Sequence, residues 1–166
     1  MLEILKTVSG ENLEQARILW REYADFLKVC FAERSGLPSF EEYFKKYEEE
    51  VNSRLPGDYS PPDGCLLLAM YQGKTAGCVA LRDFGNGVCE MKRLFVRPEY
   101  RGLGIGKALA KAVVEQGRNM GYQSMCLDTN RRMVEATALY KSLGFREIAP
   151  YEYFDVEGML YLGLTF

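Results

Sequence analysis

Histidine is absent from the 166 residues of this sequence. Its absence excludes Ser-His-Asp and Cys-His catalysis and removes a principal zinc ligand, so we expect no metal site. Acid–base chemistry, if the protein performs any, must fall to Glu, Asp, Tyr, Lys or Cys side chains.

Long apolar runs and paired cysteines are also missing. Because no stretch of 18 apolar residues occurs, we expect no membrane span, and the start of the chain does not resemble a signal peptide. The five cysteines form no Cys-x-x-Cys pair and lie mostly in apolar runs, which predicts reduced, buried thiols and a cytoplasmic protein. A net charge of -2, with the cations concentrated in one patch, argues against a nucleic-acid partner.

The hydrophobic patterns indicate a mixed α/β protein. Amphipathic spacing predicts four helices, and we expect Ser39 and Glu42 to form a capping box at the second and Asp128, Thr129 or Asn130 to cap the fourth. Strands are predicted at 2–8, 65–71, 76–84, 88–96, 124–127, 145–148 and 160–166. The resulting order is β-α-α-β-β-β-α-β-α-β-β, and we expect residues 1–166 to form a single domain.

The segment from Val96 to Ala110 joins a strand end, a glycine-rich turn and a helix start. Pro98 ends the strand, and Gly102, Gly104 and Gly106 allow the backbone to curl tightly. Unpaired N–H groups and the helix dipole meet at such a turn, which predicts an anion site. The excess of Lys and Arg over acids between 92 and 111 fits a phosphorylated ligand; the alternative is an ordinary turn with a solvated charged face.

Two common phosphate motifs do not match this segment. A P-loop needs Ser or Thr after its Gly-Lys pair to hold magnesium, but Ala108 follows Lys107. In a dinucleotide-binding fold the three glycines follow the strand directly, with the spacing Gly-x-Gly-x-x-Gly. Here the third glycine comes one residue earlier than in that pattern, and a charged segment separates the strand from the glycines. Asp128 would be the ribose ligand in that weaker interpretation.

Arg101-x-x-Gly104-x-Gly106, between a strand and a helix, resembles the acetyl-CoA signature Gln/Arg-x-x-Gly-x-Gly/Ala of the GNAT family of N-acetyltransferases. Residues 90–96 are similar to the family's fourth strand, and 138–145 to its Leu-Tyr-x-x-x-Gly-Phe segment. The resemblance covers roughly residues 75 to 147. It implies a mixed, mostly antiparallel sheet flanked by helices, and transfer of an acetyl group from acetyl-CoA, as co-substrate, to a primary amine.

The resemblance also implies which residues contact acetyl-CoA. Its pyrophosphate would bind backbone N–H groups of the loop, drawn from Arg101, Gly102, Leu103, Gly104, Ile105, Gly106 and Lys107. Strand backbone at Leu94, Phe95 and Val96 would pair with the pantetheine arm, and an N–H group there would polarise the thioester carbonyl. The family often has Asn seven residues before its Leu-Tyr tyrosine; here Met133 takes that position, and Asn130 is the expected substitute.

Two residues are candidates for acid–base roles. Glu90 begins the fourth strand among apolar neighbours, so partial desolvation would raise its pKa towards that of a general base; the alternative is a surface acid on an edge strand. The resemblance implies that Tyr140 protonates the departing thiolate; the alternative is a core tyrosine with a tethered hydroxyl. The presence of both favours an enzyme over a non-catalytic acyl-CoA-binding module on the same fold.

The sequence gives the least information about the acceptor. No cysteine occupies a motif position, which favours direct attack in a ternary complex. The acceptor is either a small-molecule amine or a peptide. The sequence does not distinguish a monomer from a homodimer. Acidic residues on the second helix form either a solvated face or a rim that attracts an amine. Aromatic residues expected to line the acceptor site are Tyr23, Phe26, Phe40, Tyr43, Tyr151, Tyr153 and Phe154.

Overall fold

The computed structural model describes residues 1–166 as a seven-stranded sheet covered by helices on both faces. The strands are β1 Leu2–Lys6, β2 Cys65–Tyr71, β3 Lys74–Gly85, β4 Val88–Val96, β5 Ser124–Asn130, β6 Arg146–Glu147 and β7 Met159–Thr165. The helices are α1 Gly10–Cys30, α2 Pro38–Glu49, α3 Ile105–Asn119 and α4 Val134–Ser142. The predicted fold class and order of elements are confirmed.

The strands lie side by side in the order β1-β2-β3-β4-β5-β7-β6. Every neighbouring pair is antiparallel except β4 and β5, which are parallel. None of the helices combines the length and apolarity that a membrane-spanning helix needs.

Each face of the sheet contributes to its own hydrophobic core. In β2, Leu66 and Leu68 join the core beneath α1 and α2, where Trp20 is fully buried. Leu67 and Ala69 point to the opposite core, beneath α3. A strand that is buried on both faces reads as a continuous apolar run rather than an alternating one, which explains the composition of 65–71.

Two helix starts differ from the predicted ones. The capping box is wrong: α2 begins at Pro38, so Ser39 lies within the first turn, and its hydroxyl donates to Asp155 at 3.4 Å instead. The start of α4 is at Val134, because β5 continues to Asn130 in antiparallel pairing with β7. Long-range pairing therefore overrides the local capping signal at the end of β5.

A gap opens between the two parallel strands in the middle of the sheet. β4 pairs with β5 only from Val88 to Glu90, opposite Ser124 to Cys126. Beyond Glu90, β4 continues to Val96 with β3 as its only strand partner. One edge of this part of β4 is therefore free to pair with a ligand.

A bulge in β4 accompanies this gap. Its register with β3 shifts between Cys78 and Ala80, and Arg93 there has a φ of 59°, in the left-handed region. Such a backbone costs a non-glycine residue about 1–2 kcal/mol. The buried Arg93 side chain offsets this cost, since it binds Glu50 at 3.1 Å and lies 4.0 Å from the centre of the Tyr47 ring.

Candidate active site

The loop before α3 presents a series of free backbone donors. The N–H groups from Gly102 to Lys107 donate no hydrogen bond within the protein. Gly102 and Gly104 have φ angles of 77° and 76°, and a Cβ built at either one would have no atom within 4 Å. Free donors, an open backbone and the positive end of a helix dipole together make an anion site.

A cleft of about 540 Å³ extends from this loop along β4 to the start of α4. We call it the glycine-loop cleft, and Leu94, Phe95 and Val96 line it. The N–H of Arg97 donates to Ala76 of β3. Since successive strand residues direct their N–H groups to opposite sides, that of Val96 points away from β3, towards the gap beside β5.

The expected loop residues do not all contribute in the same way. Ile105 lines the cleft, but its side chain is buried in the core, so it offers a backbone donor alone. Leu103 is not on the cleft wall and its side chain is exposed. The expected residues on the wall are Arg101, Gly102, Gly104, Ile105, Gly106 and Lys107.

Asn130 lies outside the glycine-loop cleft. Its side-chain nitrogen donates to the carbonyl of Glu157 at 2.8 Å, and its side-chain oxygen accepts from the N–H of Arg132 at 3.0 Å. Both ends of the amide are therefore engaged in holding the end of β5. This placement gives no support to Asn130 as a substitute for the family's asparagine.

A small cavity of about 30 Å³ occupies the gap between β4 and β5. This strand-gap cavity is lined by residues 91–94, Leu127, Asp128 and Tyr140, and Leu94 also lines the glycine-loop cleft. Tyr140 is 7% exposed, yet its hydroxyl makes no hydrogen bond within the protein. Burial, reinforced by the charge of Asp128, raises the pKa of Tyr140, so the hydroxyl stays protonated at neutral pH.

Glu90 is fully buried at the point where β4 and β5 separate. Its Oε1 accepts from Arg82 Nε at 2.9 Å and Nη2 at 2.8 Å. Its Oε2 lies 3.7 Å from Lys92 Nζ and accepts from the Tyr151 hydroxyl at 3.2 Å. The alternative of a surface acid on an edge strand is therefore wrong.

Three carboxylates meet beside the strand-gap cavity. One oxygen from each of Glu90, Asp128 and Glu152 lies within 4.8 Å of the others. Lys92 Nζ is 3.5 Å from Asp128, and Arg82 binds Glu90, so cations of the chain already stand where a metal ion would supply charge. Glu90, Asp128, Arg82 and Lys92 form an ion-pair network, and Glu152 lies next to it.

The buried thiols are poor nucleophiles. Burial, reinforced by the charge of Glu90, raises the pKa of Cys126 to about 11. Burial also raises the pKa of Cys65 to about 11 and those of Cys78 and Cys89 to about 12. Burial therefore keeps these thiols protonated at neutral pH.

A second pocket, of about 140 Å³, lies between α1, α2 and the segment before β7. We call it the aromatic pocket, because apolar and largely aromatic side chains form most of its wall. Asp128 lines both this pocket and the strand-gap cavity. Principal members of its wall are Leu27, Phe31, Phe40, Tyr43, Phe44 and Phe154.

The structure separates the aromatic residues that the sequence grouped together. Phe40, Tyr43 and Phe154 do line the aromatic pocket. Phe26 lines the glycine-loop cleft instead, and Tyr151 binds Glu90. Of the remaining two, Tyr23 packs on the Phe95 ring and Tyr153 is exposed to solvent.

Two exposed acids of α2 pair with cations of the chain, as on a solvated face: Glu42 with Lys46 and Glu48 with Arg21. Glu50, just after α2, pairs with Arg93, and none of these acids lines the aromatic pocket. The sequence shows Asp128 only as an acid directly after a predicted apolar strand. An acid in that position fits many roles, so the sequence does not predict that Asp128 lines this pocket.

Comparisons with known proteins agree with this architecture. The sequence model of the Acetyltransferase (GNAT) family matches residues 19–145. An uncharacterised N-acetyltransferase of Schizosaccharomyces pombe is 45% identical over 123 residues, which cover 73% of this chain and 75% of that protein. The N-acetylaspartate synthetase of Xenopus tropicalis is 38% identical over 99 residues, 59% of this chain but 36% of that longer protein.

Among solved structures, the PaiA N-acetyltransferase of Thermoplasma acidophilum, in complex with coenzyme A, has a TM-score of 0.76 at 22% identity. The alignment covers 100% of this chain and 99% of that one. The chain therefore belongs to the GNAT family of acetyltransferases, and the family resemblance predicted from the sequence is confirmed.

Proposed function

We propose that the protein transfers an acetyl group from acetyl-CoA to the primary amine of a small acceptor. The observation that carries this proposal is the series of free N–H groups from Gly102 to Lys107, which ends a cleft leading to the free hydroxyl of Tyr140. These residues fit acetyl-CoA, because free donors suit its pyrophosphate and the open edge of β4 suits its pantetheine amides.

The chain's own groups suit each part of the reaction. An N–H group of Leu94 or Val96 polarises the thioester carbonyl and stabilises the oxyanion as the amine nitrogen attacks. The carbon–sulfur bond breaks, and the Tyr140 hydroxyl gives its proton to the departing thiolate. Tyr140 recovers a proton from the acceptor nitrogen through water. An acceptor that enters as an ammonium therefore releases one net proton.

We propose Glu90 as the group that first accepts a proton from the acceptor. Glu90 is fully buried and lines none of the cavities described above, so a water molecule must carry the proton to it. The Asp128 carboxylate, with an oxygen within 4.8 Å of one of Glu90, connects this network to the cavities.

The proposed attack is direct, within a ternary complex. Protonated buried thiols support this order, since none of them is a ready acceptor for an acetyl group. The free cysteines also support the cytoplasm as the proposed location.

Initial-velocity kinetics with detection of released CoA thiol tests the proposed function. Double-reciprocal plots that intersect, with no acetylated enzyme in the mass spectrum after incubation with acetyl-CoA, are expected. Parallel lines with an acetylated cysteine would contradict direct attack. Tight acetyl-CoA binding without thiol release for any amine would favour the non-catalytic acyl-CoA-binding module.

A further inference from the structure

We propose that the aromatic pocket binds the acceptor as a primary ammonium held by Asp128, with an apolar body about the size of one six-membered ring. This inference rests on the proposed acetyl transfer and names the substrate class for it. Four properties of the pocket carry it: its volume, its wall, its charge and its connection to the strand-gap cavity.

The volume of the pocket matches a single ring. The pocket holds about 140 Å³. As a scale, an engineered apolar cavity of about 150 Å³ in another protein binds benzene. A two-ring body exceeds this space, and a two-carbon amine leaves most of the apolar wall uncovered.

The wall of the pocket favours a flat apolar body. Phe40 and Phe44 meet edge to face with their ring centres 4.9 Å apart, and Tyr43 meets Phe44 in the same way at 5.0 Å. Phe154 extends this arrangement from the opposite side, 6.3 Å from the Tyr43 ring. Aromatic walls of this kind bind a further ring by edge-to-face or offset contact.

The charge of the pocket favours a cation. Asp155 is exposed and already holds Arg34 at 3.2 Å and Ser39 at 3.4 Å. Asp128 has only 18% of its side chain exposed, and its Oδ1 accepts no hydrogen bond within the protein. Its one cation, Lys92, lies 3.5 Å from Oδ2 and is shared with Glu90. A negative charge with a free oxygen in apolar surroundings attracts an ammonium strongly.

Asp128 also joins the pocket to the reacting groups. The same residue lines the strand-gap cavity, where Tyr140 presents its free hydroxyl. An ammonium on Asp128 with its ring in the aromatic pocket therefore places the nitrogen at the boundary between acceptor and thioester. Glu90, with an oxygen within 4.8 Å of one of Asp128, is close enough to receive the proton through water.

A panel of amines tests the size and the charge of the acceptor. The purified full chain is assayed for CoA release with saturating acetyl-CoA and 2-phenylethylamine, ethanolamine, tryptamine or L-aspartate. We expect kcat/KM for 2-phenylethylamine to exceed those of the other three by at least about tenfold, because only this amine fills one ring space and adds no anion. A higher kcat/KM for ethanolamine or L-aspartate would overturn the inference.

Variants of the pocket test the assigned contacts. Asp128→Asn keeps the shape of the side chain but removes the charge, so KM for 2-phenylethylamine should rise about 10- to 100-fold while the Kd for acetyl-CoA is unchanged. Phe154→Ala enlarges the pocket and should raise kcat/KM for tryptamine relative to 2-phenylethylamine. Asp25→Asn, at an exposed acid of α1, is the matched control and should leave both constants unchanged.

The outcomes separate this inference from the proposed function. A folded wild type that fails to bind acetyl-CoA in calorimetry contradicts the proposed function itself. Binding of acetyl-CoA with acetylation of other amines but none of 2-phenylethylamine overturns the acceptor class alone. An Asp128→Asn variant that keeps its melting temperature and a KM within twofold of wild type overturns the role of Asp128.

Discussion

At the scale of single residues, the site is organised around two side chains with opposite surroundings. Tyr140 is a buried residue whose hydroxyl has no hydrogen-bond partner, whereas both oxygens of the Glu90 carboxylate are in contact with Arg82, Lys92 or Tyr151. A free hydroxyl is available to a ligand, and a fully bound carboxylate is fixed in place. The proposed roles of a donor that reaches the thiolate and a base that acts through water follow from this contrast.

Replacing Tyr140 with Phe removes the proposed proton donor and little else. Because the hydroxyl makes no hydrogen bond within the protein, the fold should be unaffected, and kcat should fall about 100-fold with the Kd for acetyl-CoA unchanged. Steady-state kinetics and calorimetry measure the two constants. Tyr71→Phe, at a partly buried tyrosine of β2, is the control. Full turnover in Tyr140→Phe would make Tyr140 a packing residue.

Replacing Glu90 with Gln should remove the base while keeping the side chain's shape. We expect kcat to fall about 100-fold and the acid limb of the pH–rate profile to disappear, since that limb reports the ionisation of the base. Melting temperature controls for the loss of the ion pairs, and exposed Glu147→Gln controls for charge. An acid limb that persists in Glu90→Gln but is lost in Asp128→Asn would transfer the role of base to Asp128.

At the scale of secondary-structure elements, the bulge in β4 links the acceptor side of the molecule to the cofactor side. Arg93, at the bulge, reaches across to Glu50 just after α2 and to the Tyr43 hydroxyl within it. Burial opposes the ionisation of Glu50, but the charge of Arg93 and the hydrogen bond from Tyr59 outweigh it and lower the pKa of Glu50. This contact therefore holds α2, and with it the aromatic pocket, against β4.

The link between Glu50 and Arg93 should make stability depend on pH in one direction. A lowered folded-state pKa means that the stabilisation is complete above the unfolded-state value, about 4.5, and is lost as pH falls through the folded-state value. Glu50→Gln should cost about 2 to 3 kcal/mol at pH 7, since it leaves buried Arg93 without its acid. Urea unfolding of wild type and Glu50→Gln measures this difference in the free energy of unfolding.

The difference in unfolding free energy between wild type and Glu50→Gln should narrow as pH falls below about 4.5. Glu49→Gln, at the preceding exposed residue, is the matched control and should match wild type at each pH. A pH-independent difference would show that Glu50 contributes through packing rather than charge.

The elements that the sequence predicted well are those with local signals. β2 and β4 begin and end where their apolar runs do, and the glycine turn before α3 is visible in three alternate residues. Asp128 could not be assigned in this way. Its place in the aromatic pocket depends on the pairing of β5 with β7 and on the packing of α1 and α2, which join segments far apart in the chain.

The catalytic candidates show the same difference between features with a local sequence signal and features that depend on long-range packing. Sequence motifs indicate Glu90 and Tyr140 but not the partners of Glu90, because Arg82 comes from β3 and Tyr151 from the segment after β6. Asn130 shows how long-range pairing overrides a local helix-capping signal. Its capping signal at 128–130 is strong locally, yet pairing with Met159 keeps Asn130 in β5 and directs its amide to Glu157.

At the scale of the whole molecule, one sheet separates two hydrophobic cores. β2 contributes alternate residues to each core, so neither core can lose its packing without disturbing the other. We therefore propose that residues 1–166 behave as one domain. The active-site gap lies in the middle of this sheet, where both cores support it.

Because we propose that residues 1–166 form one cooperative unit, we expect a single unfolding transition. Leu109→Ala in one core and Leu19→Ala in the other, both fully buried, should each cost about 3 kcal/mol and shift the same transition. Val29→Ala, at an exposed position of α1, should change stability by less than about 0.5 kcal/mol. Calorimetry that resolves two transitions, each moved by only one of the core variants, would contradict a single domain.

We propose that the free N–H groups before α3 bind the pyrophosphate of acetyl-CoA. Gly104 and Gly121 provide a matched pair, since they flank opposite ends of α3, have φ angles of 76° and 87°, and would each place a Cβ in open space. Substituting Glu at either position imposes the same backbone strain and adds the same charge. Only Gly104→Glu places that charge beside the proposed anion site.

Calorimetric titration of wild type, Gly104→Glu and Gly121→Glu with acetyl-CoA is therefore the most direct measurement. We expect micromolar binding by wild type and Gly121→Glu, and a loss of at least about 100-fold in Gly104→Glu, where like charges meet at the helix start. Equal binding by all three proteins, or no binding by folded wild type, would contradict this proposal.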